Sequence, residues 1–154
     1  MFAQAYQKGK SGVEILSPAG TGKDERHSSF NGSVSRAYER DIKGFCYCMS
    51  KASTSTHIQC PGKGRDTLGI VQPLLVLQLQ TFHEDSNLSF EVSIIDQKGI
   101  RRRLHFSSVF RTMECNGLHA KVPWHWGEVS SNTWSNVVLD LQVNAYIYER
   151  GCLL

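Results

Sequence analysis

The chain has 154 residues, enough for one domain of ordinary size, and its 40% hydrophobic and 20% charged content can fill a core. A net charge of +3 with histidine neutral permits an acidic partner, but it is weaker than the charge of dedicated nucleic-acid modules. The opening MFAQAYQKGKSG has no apolar run of a signal peptide, and the most apolar window, GIVQPLLVLQLQ (69–80), is too short to span a bilayer. The expectation is a soluble intracellular chain with no membrane contact and reduced, partly buried cysteines at Cys46, Cys48, Cys60, Cys115 and Cys152.

Taken in chain order, residues 1–33 are rich in Gly, Ser and Lys, with only Val13-Glu14-Ile15-Leu16 strand-like; 17–33 reads as a long flexible loop. From 34 onward, short β-type runs recur between turn residues. Phe45, Tyr47 and Met49 alternate with Cys46 and Cys48, and 56–60 stops at Pro61-Gly62. Leu75, Leu77 and Leu79 alternate with Val76 and Gln78, and Phe90, Val92 and Ile94 with Glu91 and Ser93. Ile100, Arg102, Leu104 and Phe106 alternate with Arg101, Arg103 and His105; 118–122 and 134–141 complete the set. A period of two marks half-buried strands. No segment carries a helical stripe, although 107–116 has room for one helical turn. Strands about ten residues apart, joined by Gly, Pro, Asn and Asp, point to an all-β antiparallel β-sandwich or jelly roll. The firmest local expectation is a hairpin over 88–108 around Asp96-Gln97-Lys98-Gly99, with Gly99 in the left-handed position.

The alternation splits the arginine run. Arg101 and Arg103 share the outer face with His105, next to Lys98 in the turn; these four are the candidate partner-binding residues. Arg102 points with Leu104 and Phe106, so it must lie at the sheet rim, extend its head past the core or pair with a carboxylate. Arg102 and Trp134, which opens a late strand, are expected to be structural.

Chemical motifs are weak. Gly20-Thr21-Gly22-Lys23 resembles the end of a P-loop, but Ser17 stands where a Gly is needed and Asp24 where a Ser or Thr is needed. His57/Cys60 and Cys115/His119 do not have zinc-ligand spacing, so no metal is expected. No nucleophile-elbow motif occurs, which favours a binding module over an enzyme. Trp124 and Trp126 could stack on sugars, a carbohydrate-binding alternative; Arg101–Arg103 with Lys98 and His105 could bind nucleic acid, a weaker alternative because no aromatic platform interleaves them.

Several pieces, in order, carry a resemblance: Met1-Phe2, Val13-Glu14-Ile15-Leu16-Ser17, Asp41-Ile42-Lys43, Ile58-Gln59-Cys60-Pro61, Leu68-Gly69-Ile70, Leu74-Leu75-Val76-Leu77, Ile100-Arg101-Arg102-Arg103-Leu104, and Trp134 with its strand. Over residues 1–142 the chain resembles the cilia- and flagella-associated protein 20 domain family. Leu118-His119-Ala120-Lys121-Val122-Pro123 is most similar to the branch of CFA20 domain-containing proteins.

The resemblance implies a jelly-roll sandwich shaped like a carbohydrate-binding module. It implies a non-enzymatic structural protein of cilia and flagella, without cofactor, that binds tubulin or other axonemal proteins. The implied location is the axoneme and cytoplasm, with the nucleus left open. The family's arginine-bearing strand falls on Arg101, Arg102 and Arg103. Two departures accompany it. The family's early-loop Trp is absent from Lys23-Asp24-Glu25-Arg26-His27, and 143–154 reads as a divergent tail where the family has a last strand. A sandwich shortened in that way would expose a neighbouring strand edge.

Overall fold

A computed structural model describes residues 12–19, 28–50, 55–62, 64, 67–82, 87–124 and 132–142. The P-loop-like segment, the early loop around 23–27, Trp126, Cys152 and the tail 143–154 lie outside the described residues. The described chain is all-β and falls into two compact units, residues 1–72 and 73–154.

The first unit contains β1 (Ser29–Asn31), β2 (Val34–Glu39), β3 (Gly44–Met49) and β4 (His57–Gln59). β2 and β3 form an antiparallel hairpin, and β1 pairs antiparallel with β4. Gly32 joins β1 to β2 with φ of +73°, and a Cβ there would sit 2.5 Å from Thr56 Oγ1. Both the left-handed backbone and the close approach call for glycine.

β1 lies inside the segment that composition assigns to loop, whereas residues 13–16, which look strand-like, form no strand. Ser and Asn are weak strand formers, so the pairing of Phe30 with Ile58 outweighs local propensity.

The second unit contains β5 (Leu74–Leu79), β6 (Ser89–Ile95), β7 (Arg101–Ser107), β8 (Glu114–Cys115), β9 (His119–Pro123) and β10 (Ser135–Asp140). β6, β7, β9 and β8 make a four-stranded sheet in that order, and β5 pairs antiparallel with β10. The period-two pattern directs one side of each sheet inward. Leu104, Phe106, Ala120 and Leu139 are buried at the centre. Phe90, Val92 and Ile94 of β6, Val122 of β9, Leu75 of β5 and Val137 of β10 pack around them. This arrangement is a β-sandwich, and hydrophobic burial between its faces is its main stabilising term.

Two details differ from the sequence expectation. β7 and β9 run parallel, in register from Arg103 opposite His119 to Ser107 opposite Pro123. In place of a helical turn, 107–116 holds a turn at Ser108-Val109 and the short strand β8. The short hairpin from β8 to β9 reverses the chain and lays β9 alongside β7. In that hairpin Asn116 Oδ1 accepts the amides of Leu118 and His119 at 2.9 and 2.8 Å.

Candidate protein-binding face of the four-stranded sheet

The β6–β7 hairpin sets the site. Gly99 takes φ of +77°. Asp96 Oδ1 accepts the amides of Lys98 at 2.9 Å and Ile100 at 2.8 Å, which closes the turn in the manner of an Asx motif. The register that follows pairs Ile94 with Arg102 and Ser93 with Arg103. A slip of one residue would reverse every side chain on the strand.

Arg102 points inward and is 8% exposed. Its Nε donates to Asp96 Oδ2 at 3.0 Å, its Nη2 lies 2.8 Å from the same oxygen, and its Nη1 donates to the Gly117 carbonyl. One guanidinium thus ties the turn before β7 to the turn before β9. The Asp96 carboxyl is held below its usual value of 3.8, first by the Ile100 amide and also by Arg102 and the Lys98 amide, against an opposing contribution from burial.

A depressed carboxylate contributes stability above its ordinary pKa and loses that contribution as pH falls through the folded value. The Asp96→Asn variant is therefore expected to be less stable than wild type at neutral pH, with the gap narrowing as pH falls below the ordinary carboxylate range. Thermal unfolding across that range checks this; a gap independent of pH would contradict it.

The outer face carries the other arginines. Arg101 and Arg103 are exposed, and His105 is half-buried beside them on β7. Arg103 Nε meets Glu91 Oε1 at 3.1 Å, and Ser89 Oγ is 2.6 Å from His105 Nε2. His105 also packs edge-on against Phe110, with centroids 4.9 Å apart. Lys98 is exposed in the turn, at one end of this face.

The structure adds residues that sequence reasoning missed. Parallel pairing sets His119 beside Arg103 and Lys121 beside His105. Lys121 Nζ is 2.9 Å from Glu114 Oε2 and 5.9 Å from the Phe110 centroid. Alternation around Ala120 and Val122 marks His119 and Lys121 as outward, but no local signal makes β9 the neighbour of β7. The face is thus a mixed-charge plane in which Arg101, Arg103, Lys121 and Lys98 outnumber Glu91 and Glu114.

Other candidate residues serve elsewhere. Trp124 packs edge-on to Phe90 at 5.7 Å and Phe106 at 6.5 Å, against the sandwich core. The ring is half-buried, and core packing is the role that its contacts show. Trp134 is half-buried before β10, and its Nε1 finds no acceptor among the described residues. His57 Nε2 is 3.1 Å from Asn31 Nδ2, and Cys60 Sγ is 3.1 Å from Ser28 Oγ. Among the described residues no three His, Cys, Asp or Glu side chains converge on a metal position, and no helix is long and apolar enough to cross a membrane. Cys46, Cys48 and Cys60 are free thiols, but Cys115 is disulfide-bonded, which corrects the expectation of reduced cysteines throughout. Its partner lies outside the described residues.

Cilia- and flagella-associated protein 20 of Chlamydomonas reinhardtii is 29% identical over 141 residues, covering 86% of this chain and 71% of that protein. Cilia- and flagella-associated protein 20 of Paramecium tetraurelia is 27% identical over 107 residues, covering 66% of this chain and 55% of that protein. The CFA20 domain is matched over residues 1–150, so nearly the whole sequence, both β units and the arginine strand included, belongs to the CFA20 domain family.

Proposed function

We propose that this chain is a non-enzymatic structural protein of cilia and flagella, and that the outer face of its four-stranded sheet docks on acidic protein surfaces of axonemal microtubules. The carrying observation is the placement of Arg101 and Arg103 on one exposed face, with Lys121 added from β9, while Arg102 is held inside by Asp96. Arginine suits such docking because its planar fork pairs with a carboxylate through two hydrogen bonds and is weakly hydrated. The relatives' names supply the setting, since both are cilia- and flagella-associated proteins.

The Ser89–His105 pair does not change this reading. The hydrogen bond is exposed on the sheet's outer face, whereas acyl-transfer chemistry relies on oxyanion donors in a site that excludes water. We read the contact as a cross-strand hydrogen bond that orients the imidazole.

A tagged chain expressed in a ciliated cell tests the proposal. The expected result is axonemal signal that survives detergent extraction. Diffuse or nuclear signal would overturn it, and nuclear signal with binding that falls steeply as salt rises would favour nucleic acid as the acidic partner.

A further inference from the structure

We propose that Cys46 and Cys48 form a two-coordinate site for a soft monovalent metal ion, the cuprous ion being the natural probe. The two residues are on the same side of β3, and their sulfurs lie 3.6 Å apart. Both thiols are free and half-buried. Across the hairpin, Cys46 faces Ala37 and Cys48 faces Ser35, so both partners on β2 are small. The dithiol is therefore not covered by a bulky cross-strand side chain.

The donor set selects the ion. A structural zinc site needs four ligands, and among the described residues no third His, Cys, Asp or Glu converges on the pair. Thiolates are soft donors that favour copper(I), which accepts two sulfurs in a near-linear arrangement. Two metal–sulfur bonds of about 2.2 Å in line place the sulfurs about 4.4 Å apart. Rotating one Cys about χ1 supplies the difference with no change to the strand pairing.

The step balances without electron transfer. Each thiol gives up its proton, two metal–sulfur bonds form, the ion stays monovalent, and two protons go to solvent. Burial first, then the neighbouring Cys48 and the Glu39 charge, push the Cys46 thiol up to about 11, so the metal-free Cys46 is protonated at neutral pH. Binding must displace protons from the thiols, so the apparent affinity should rise with pH through the neutral range.

Competition against bicinchoninate for copper(I), under ascorbate and without oxygen, tests this on the full chain. One copper(I) per chain is expected. Cys46→Ser and Cys48→Ser should each weaken binding by about 100-fold or more, and Cys60→Ser should leave it unchanged. Circular dichroism confirms that the variants are folded. Zinc(II) should be lost on desalting. No competition for copper(I), binding retained in the Cys46→Ser/Cys48→Ser double variant, or zinc retained as firmly as copper would each overturn the proposal.

Discussion

Asp96→Asn is expected to lower the midpoint of thermal unfolding by on the order of 10 °C, and adding Arg102→Met should recover about half or more of that loss. The substitution is nearly isosteric. Its side-chain oxygen can still accept the Lys98 and Ile100 amides, so the turn keeps its closure. What disappears is the charge facing Arg102, and the new amide group presents donors to a guanidinium that is itself all donors. With side chains only 10% and 12% exposed, the arginine cannot turn to water without leaving the rim of the core.

A buried charge that loses its partner costs far more than the pair contributed, whereas replacing both members by uncharged groups is often close to neutral. Differential scanning fluorimetry of the two single variants and the double variant measures this. Additive losses would mean that Asp96 acts through the turn alone. Arg102→Met by itself should be milder, because Asp96 keeps two backbone donors.

This brace shows how far the sequence could be read. The reversal at Asp96–Gly99 and the inward direction of Arg102 both follow from period-two alternation next to a turn ending in glycine. A carboxylate partner for Arg102 was one of three readings that the sequence left open, beside a place at the sheet rim and a head extended past the core. Naming Asp96 needed the register, which pairs Ile94 with Arg102 and brings the turn carboxylate back over the guanidinium. The third contact, to the Gly117 carbonyl, comes from a different hairpin and leaves no local trace in the sequence.

The same limit explains β9. Outward His119 and Lys121 were legible as an alternating pair, but parallel pairing with β7 depends on how β8 folds the chain back. Strand β1 was illegible because its strand character comes from β4 and not from Ser29-Phe30-Asn31 itself. Trp124 was ambiguous for another reason: aromatic rings serve cores and platforms equally well, and only the edge-on packing against Phe90 and Phe106 shows its contact with the core.

Reversing the outer arginines should have the largest effect on binding. Arg101→Glu/Arg103→Glu changes the face by four charge units in the direction an acidic surface opposes, with an expected loss of affinity of about 100-fold. The fold should tolerate it. Arg103 and Glu91 are 52% and 42% exposed, so water screens the repulsion that the new glutamate brings to that position. Arg102 is left in place, which separates loss of binding from loss of the brace. Circular dichroism and the unfolding midpoint should stay near wild type.

Co-sedimentation with axonemal doublet microtubules is the direct measurement. Wild type should pellet saturably and be released as salt rises, and the double variant should remain in the supernatant at the same concentrations. Wild type that fails to pellet, or a folded double variant that pellets equally well, would contradict the assignment of this face to microtubule docking.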